Sequence, residues 1–254
     1  HVAHEVRNPL QKIKTGVELL SGSLAMDARQ RRQLEGVRNG VDNLEKFVTQ
    51  ILEWTRTGEL RPRPHRISNI VEGLLFNQTE ALERRRVRVE TSFDPDADTV
   101  VADGIQLRQV FENIIENALD AMPEGGTFRI STAVIKRHTF SRGTETFCED
   151  AVEIRLADTG SGIEQEDLAR IFQPFFTKKA KGTGLGLALV MKVIDMHHGE
   201  IEARSEKGRG TEFVIRLPRE QGGPARASAG EREAGAGRND SEDIRGRKKK
   251  NPAR

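Results

Sequence analysis

Residues 181–190 read KGTGLGLALV and place Gly182, Gly184 and Gly186 at alternate positions before an apolar, helix-like run. Alternating glycines let backbone N–H groups turn toward an anion, and a helix N-terminus adds partial positive charge. The stretch therefore indicates a phosphate-binding turn, although a purely structural helix entry would look the same. It lacks the G-x-G-x-x-G order of a dinucleotide fold, and the chain contains no G-x-x-x-x-G-K-[ST] phosphate loop.

The residues before these glycines carry positive charge. FFTKKAKGTG (residues 175–184) holds Lys178, Lys179 and Lys181, separated from the helix by small residues. We interpret this segment as a mobile lid whose lysines are available to phosphates.

The stretch DTGSGI (residues 158–163) follows a predicted strand, so Asp158 should lie at the rim of a sheet. A carboxylate in that place can accept the exocyclic amino group of adenine, while Gly160 and Gly162 leave space for the ring. A plain turn at a strand end is the alternative interpretation.

A third pattern lies on the helix predicted over residues 105–122, which Asp103 can cap. Asn113 and Asn117 are one turn apart on a face away from the apolar stripe. Asparagine is a poor helix former, so the pair suggests a task for its side-chain oxygens, such as binding Mg²⁺ beside a triphosphate. Thr211, between a glycine turn and a strand, is a further candidate for nucleotide contact.

Hydrophobic periodicity predicts an α/β layer over residues 67–218, in which helices cover one mixed sheet. Residues 136–150 are expected to form a polar excursion between two strands. The predicted helices cover residues 67–86, 105–122, 165–172 and 185–198, and the predicted strands cover residues 87–93, 127–135, 152–158, 200–206 and 211–218.

Two apolar seams precede this layer. Val6, Leu10, Ile13, Val17, Leu20 and Leu24 form the first, and Leu34, Val37, Val41, Leu44, Val48 and Ile51 form the second. Both follow a spacing of about 3.5 residues, which is typical of bundled helices. Two helices alone bury such seams poorly, so the pattern favours a dimeric four-helix bundle. An intramolecular helical pair lying on the second domain is the alternative.

Composition narrows the class of protein. The 254 residues carry 41 Lys and Arg and 39 Asp and Glu; residues 219–254 hold ten and six of these, so the rest is close to neutral. The folded part therefore lacks the basic excess of a nucleic-acid-binding domain. A single cysteine, Cys148, excludes an internal disulfide and fits a reducing compartment. We expect residues 219–254 to be a disordered tail, whose RGRKKK could instead attract an anionic partner.

Five stretches, in this order and spacing, closely resemble the N, G1, F, G2 and G3 boxes of the sensor histidine kinases. They are ENIIENALDAM (112–122), DTGSGI (158–163), FQPFF (172–176), GTGLGLALV (182–190) and GRGTEF (208–213). HEVRNPL (4–10) is similar to the phosphoacceptor box, in the form found in nitrogen-regulation sensors. The resemblance covers about residues 1–218 and includes the ATP-binding superfamily shared with DNA gyrase and the heat-shock chaperones.

The resemblance implies an α+β protein. Residues 1–57 would be a helical hairpin that dimerises as a four-helix bundle and carries the phosphorylated histidine, and residues 58–66 a linker. Residues 67–218 would be an α/β sandwich that binds ATP and Mg²⁺. The candidate ATP-binding residues are Asn113, Asn117, Asp158, Gly160, Gly162, Lys178, Lys181, Gly182, Gly184, Gly186 and Thr211, with Asn117 as the metal ligand.

His4 aligns with the phosphoacceptor, whereas His1 has no counterpart in the family. Glu5 can take a proton from the imidazole, and Asn8, one turn after His4, could position a water for dephosphorylating the partner. A metal pair built from His1 and His4 is disfavoured, because H-x-x-H-E is not the zincin order and no further ligands are evident.

The expected activity is autophosphorylation of His4, followed by transfer to an aspartate of a receiver-domain response regulator. A hydrolytic ATPase of the same superfamily is the alternative, but its members carry a glutamate where this chain has Asn113. A non-catalytic docking module is disfavoured by the intact boxes. The chain begins with His, and we expect a missing upstream sensor region and a cytoplasmic location, either alone or as part of a membrane-bound sensor.

Overall fold

The structure is a computed structural model that describes residues 2–23, 27–55, 60–142, 145–179 and 182–219. Within these ranges, the side chains at 2–7, 21–23, 46, 53–55, 142 and 145 lie outside the description. The predicted tail lies almost wholly outside the described residues. No helix in the described ranges is long and apolar enough to cross a bilayer.

The chain begins with two helices, α1 (Val2–Ser23) and α2 (Ala28–Thr55), as the seams predict. Asp27 caps α2, since its Oδ1 accepts the backbone N–H groups of Arg29 and Gln30 at 2.8 and 2.7 Å. The side chain of Gln30 accepts the N–H of Asp27 in return, at 3.0 Å. A capped start of this kind explains why the second helix begins where it does.

The first seam is only partly covered within the chain. Leu10 and Val17 are 6% exposed, whereas Ile13 and Leu20, which alternate with them, are 48% and 47% exposed. Val37 and Leu44 of the second seam are also about half exposed, at 50% and 51%. The hairpin therefore carries an apolar face that the described chain does not cover; the dimer stays a prediction.

The second half of the chain contains the strands β1 (Arg63–Arg66), β2 (Val87–Ser92), β3 (Thr99–Ala102), β4 (Gly126–Arg142), β5 (Glu145–Asp158), β6 (Glu200–Glu206) and β7 (Gly210–Pro218). Five of them form a mixed sheet in the spatial order β2–β4–β5–β7–β6. β2 and β4 pair in parallel and the other neighbours are antiparallel. A separate antiparallel pair joins β1 to β3.

Helices α3 (Ile67–Asn77), α4 (Thr79–Arg85), α5 (Gly104–Ala121), α6 (Gln165–Leu168) and α7 (Gly186–Met196) complete the layer. The expected stripe of α5 lies in the core, where Val110, Ile114, Ala118 and Met122 are all at most 3% exposed. Asp103 caps this helix through the N–H groups of Ile105 and Gln106. The predicted α+β class, helices first and a helix-covered mixed sheet second, is confirmed.

A buried histidine connects α5 to α7. His197 is fully buried, and its Nε2 accepts the backbone N–H of Asp103, 2.9 Å away. Its Nδ1–H therefore donates to the carbonyl of Val193, at 2.7 Å. Burial lowers the pKa of this imidazole and keeps it neutral. The start of α5 is thus held to the end of α7.

Three local expectations differ from the structure. The helix predicted over residues 67–86 divides at Gln78, where the hydroxyl of Thr79 binds the carbonyl of Phe76 at 2.7 Å and ends the first segment. The polar excursion expected over residues 136–150 instead prolongs β4 and β5 as a hairpin. The linker expected at 58–66 includes β1, which pairs with β3.

The extension of β4 and β5 has an aromatic cause. Phe140 and Phe147 are cross-strand partners, and their rings stack with centroids 5.5 Å apart. A β-bulge between Ile135 and His138, with Arg137 in the left-handed region at φ 52°, joins the two parts of β4.

Candidate functional site

A cavity of about 670 Å³ lies beside α5, between the end of β5 and the start of α7. Most of the predicted nucleotide residues line it: Asn113, Asn117, Asp158, Gly162, Lys178, Gly182, Gly184, Gly186 and Thr211. Gly160 does not line the cavity, and Lys181 lies outside the described residues. Residues far apart in sequence thus meet around one space large enough for a small ligand.

Asp158 is the buried acid of this cavity, at 8% exposure. It ends β5, where it pairs with Thr211 of β7. Its Oδ1 accepts the backbone N–H groups of Gly160 at 2.8 Å and Thr211 at 3.3 Å. The other oxygen receives no hydrogen bond from the described residues, so it can accept one from a ligand. Burial raises the pKa of this carboxyl, and the two N–H donors oppose the shift.

The glycines after Asp158 are required by the protein's own packing. A Cβ on Gly160 would lie 2.6 Å from the carbonyl oxygen of Ala121 in α5. Gly162 has φ +62°, and a Cβ there would lie 2.1 Å from the carbonyl oxygen of Glu206. These glycines bring the loop against α5 and β6, and so position the acid that precedes them.

The second glycine stretch joins the lysine segment to α7. Gly184 has φ +70°, and its carbonyl accepts the backbone N–H of Phe175 at 2.9 Å. A Cβ on Gly184 would lie 2.4 Å from the carbonyl carbon of Phe175. Gly186 begins α7, and a Cβ there would lie 2.7 Å from Asn113 Oδ1. Asn113 can therefore approach the start of α7 only because residue 186 is glycine.

The two asparagines of α5 have different environments. Asn113 donates from Nδ2 to the carbonyl of Gln109, 2.9 Å away on its own helix. Asn117 presents Oδ1 to the ammonium of Lys179, 2.7 Å away, and that ammonium also lies 3.0 Å from Asp120 Oδ2. Burial opposes ionisation of Asp120, but Lys179 and Arg85 outweigh it and lower the pKa of that carboxyl. The oxygens of Asn117 and Asp120 thus converge on one positive charge.

Acidic and hydroxyl groups complete the walls of the cavity. The ammonium of Lys178 forms an ion pair with Asp167, whose side chain is 8% exposed. Thr211, which is 6% exposed, shares a 3.0 Å hydrogen bond with the hydroxyl of Ser205. Both lysines described in this segment are therefore held by carboxylates.

The helical hairpin also reaches the cavity, which sequence reasoning did not foresee. Asn43 and Gln50 of α2 line it, and the hydroxyl of Thr183 donates to Gln50 Oε1. Asp120 and Asp167 were missed as well. Asp120 had a signal, because it follows Asn117 by three residues on the same helix. Asn43, Gln50 and Asp167 have no comparable pattern.

The phosphoacceptor stretch lies in α1. The backbone of His4 and Glu5 is helical, but their side chains lie outside the description, as does all of His1. Asn8 is exposed and does not line the cavity. Pro9 lies inside the helix and removes the N–H that would bind the carbonyl of Glu5. The roles of His4, Glu5 and Asn8 therefore stay predictions.

Two domain families match the chain. Residues 102–221 match the family described as "Histidine kinase-, DNA gyrase B-, and HSP90-like ATPase". Residues 1–59 match the "His Kinase A (phospho-acceptor) domain". The two matches fall on the sheet with its cavity and on the helical hairpin.

Relatives and solved structures agree with these matches. The Escherichia coli histidine-protein kinase AtoS is 34% identical over 217 residues, which is 85% of this chain and 34% of AtoS. Sporulation kinase E of Bacillus subtilis is 30% identical over 217 residues, which is 85% of this chain and 28% of that protein. The chain thus spans about a third or less of the length of these relatives.

Among solved structures, full-length ShkA in complex with AMPPNP is similar with a TM-score of 0.68 and 25% identity, covering 85% of this chain and 44% of ShkA. ThkA in complex with the response regulator protein TrrA is similar with a TM-score of 0.60 and 24% identity, covering 86% of this chain and 60% of that chain.

Proposed function

Since the chain belongs to the sensor histidine kinases, we propose that it phosphorylates His4 with ATP and passes the phosphoryl group to an aspartate of a response regulator. The observation that supports the ATP half is Asp158, a buried carboxylate in the cavity whose second oxygen receives no hydrogen bond from the described residues. That oxygen suits the 6-amino group of adenine, whereas guanine carries a carbonyl oxygen at that position, which a carboxylate would repel. ShkA, with the same fold, is known in complex with the ATP analogue AMPPNP.

Magnesium fits the opposite group of side chains. Asn117 Oδ1 and Asp120 Oδ2 already converge on a cation, the ammonium of Lys179, and oxygen atoms are the ligands that Mg²⁺ prefers. No group of three or more His, Cys, Asp or Glu in the described ranges could hold a metal. Mg²⁺ there would take its remaining ligands from phosphates and water, and it would neutralise charge on the transferring phosphoryl group.

The transfer itself needs a nucleophile and a base. A ring nitrogen of His4 attacks the γ-phosphorus, the bond to the bridging oxygen breaks, and ADP leaves with the electron pair. The proton on the other ring nitrogen passes to Glu5, which raises the basicity of the attacking atom. Asn8, one turn along α1, would orient a water against the regulator's aspartyl-phosphate.

Hydrolysis of ATP by water is disfavoured at the same site. An amide cannot remove a proton from water, and Asn113 stands where a hydrolytic member would carry its glutamate. Its Nδ2 is bound to the carbonyl of Gln109, 2.9 Å away. The γ-phosphoryl group should therefore be transferred to His4 rather than to water.

Two partners follow from this proposal. A second copy of the chain would cover Ile13, Leu20, Val37 and Leu44 and complete a four-helix bundle. A receiver domain would then take the phosphoryl group; ThkA, of the same fold, is known in complex with the regulator TrrA. Because ATP and receiver domains are cytoplasmic, we place the reaction in the cytoplasm. We keep residues 1–57 as the hairpin and 67–218 as the nucleotide domain. Residues 58–66 connect the two, and β1 at the end of this connection pairs with β3.

The test uses γ-labelled ATP with magnesium. We expect label on the chain that is lost in acid and retained in alkali, the behaviour of a phosphoramidate. His4→Gln should abolish it, whereas His1→Gln, the matched control, should label normally. Label retained in His4→Gln, or label that survives acid, would refute the assignment.

A further inference from the structure

The ammonium of Lys179 lies where two side-chain oxygens of α5 meet. It is 2.7 Å from Asn117 Oδ1 and 3.0 Å from Asp120 Oδ2. The two residues are three positions apart and therefore share one face of the helix. The lysine comes from a different element, so the contact is formed by the fold and not by local sequence.

We propose that Lys179 fills the metal position of the nucleotide-free pocket, and that a divalent cation displaces it there. The inference rests on the proposed function, since it concerns the same cavity, and it adds a competitor and a second oxygen ligand, Asp120. Two cations cannot share Asn117 Oδ1 at hydrogen-bonding distance, because like charges this close repel strongly. A divalent ion accompanied by phosphates outweighs a single ammonium.

The surroundings favour exchange over a permanent ion pair. The side chains of Lys179 and Asp120 are 48% and 47% exposed, so the pair is weak and water can replace the lysine. Arg85 donates to the other oxygen of Asp120, Oδ1, at 3.2 Å. When Lys179 leaves, Arg85 still holds the carboxylate in place, with Oδ2 available to the metal or to a water bound to it.

The neighbouring lysine provides a contrast within the same segment. Lys178 pairs with Asp167, which does not belong to α5 and lies 47 residues after Asp120 in the sequence. The backbone N–H of Lys179 binds Thr177 Oγ1 at 3.1 Å, which helps to direct the two lysines to different carboxylates. Of these two lysines, Lys179 is therefore the one that lies against the candidate metal ligands.

The experiment measures Mn²⁺ binding to the full chain at saturating ADP, by the loss of the free Mn²⁺ signal in electron paramagnetic resonance. Saturating nucleotide separates metal affinity from any lysine contact with phosphates. Lys179→Met should raise the Mn²⁺ affinity by roughly two- to fivefold, the effect expected for removing one exposed ion pair. Lys136→Met, the control, removes an exposed ion pair with Asp150 outside the cavity and should leave the Mn²⁺ affinity unchanged.

A double-mutant cycle gives the second measurement. In an Asp120→Asn background, Lys179→Met should change the Mn²⁺ affinity by a factor close to one, because the lysine has lost its charged partner. An equal gain in Lys136→Met, or no gain in Lys179→Met, would overturn the exchange while leaving ADP binding intact. A wild-type chain that binds no ADP would instead refute the proposed function, and the exchange with it.

Discussion

The helical hairpin and the nucleotide cavity differ in how far one chain completes them. Around the cavity, the apolar side of α5 is closed, with Ile114 and Ile115 at most 1% exposed, and Asp158 is held by two backbone donors. In the hairpin, Leu20 and Leu44 remain about half exposed at 47% and 51%. We therefore expect a single chain to bind nucleotide, whereas the proposed dimer would cover the exposed face of the hairpin.

The same contrast separates binding from chemistry. The candidate base and nucleophile lie on α1, and the candidate nucleotide ligands lie on α5 and the two glycine loops. A substitution in α1 should leave nucleotide affinity unchanged, and a substitution of a nucleotide ligand should leave the dimer intact.

The largest effect is expected from Glu5→Gln. An amide cannot accept the imidazole proton, so autophosphorylation should slow by about 10²–10⁴-fold, the usual effect of losing a general base. ATP affinity, measured by calorimetry, should not change. Asn8→Ala is the matched variant: it should autophosphorylate normally but prolong the life of the phosphorylated regulator. Equal loss of both activities in Asn8→Ala would show that this residue only supports the helix.

The next effect concerns the exposed seam. Leu44→Glu should weaken dimerisation at least about 100-fold, because a buried leucine contributes roughly 1.5–3 kcal/mol and two-fold symmetry counts it twice. Sedimentation of the full chain measures this effect, and ATP binding is measured alongside it. Leu19→Glu is the control, since Leu19 is 67% exposed and lies outside the seam. A wild-type monomer would support the alternative of an intramolecular helical pair.

In the nucleotide cavity, Asn117→Ala should lower the metal-dependent affinity for nucleotide. Loss of an outer-shell partner of a metal already costs roughly 10–100-fold in metal affinity, and loss of a direct ligand should cost at least as much. The dimer should remain intact. Asn113→Ala, one turn earlier, removes a side chain whose amide binds its own helix, and it should cost less. Calorimetry with and without magnesium separates the two; normal magnesium-dependent affinity in Asn117→Ala would exclude it as a ligand.

The smallest effect is one of stability. Burial raises the pKa of Asp158, so the folded chain holds this proton more tightly than the unfolded chain. Stability therefore falls as pH rises from the ordinary value of 3.8 through the higher folded value, and it stays lower above that value. Asp158→Asn should melt higher at neutral pH, by about 2–4 °C for each kcal/mol gained, and lose this advantage in acid.

Calorimetry of the same Asp158→Asn variant should show weakened ATP binding, because the amide nitrogen would face the adenine amino group. A variant that melts lower than the wild type at neutral pH would show that the ionised carboxylate stabilises the fold.

The parts of this molecule that local spacing determines could be predicted from the sequence. The seams predicted α1 and α2, and the cap at Asp103 predicted the start of α5. The glycine loops around Asp158 could be recognised because their function depends on the backbone conformation of only a few consecutive residues.

Contacts between distant elements could not be predicted in this way. The pairing of Lys179 with Asp120 depends on where residues 59 positions apart meet, and the contact of Thr183 with Gln50 spans 133 positions. The hairpin over residues 136–150 has polar composition, and the stacking of Phe140 on Phe147 that sustains it becomes visible only with the strand register.

The hydrogen bond from Thr183 to Gln50 has a thermodynamic consequence. It joins a residue of the nucleotide cavity to a residue of the helical hairpin, so each region contributes to the other's free energy. If nucleotide binding breaks this hydrogen bond, a second ligand that binds Gln50 breaks the same bond. Each ligand then raises the affinity of the chain for the other by the same factor. The affinity of a protein that docks on this part of α2 would therefore depend on whether the cavity holds a nucleotide, although that protein does not touch the nucleotide.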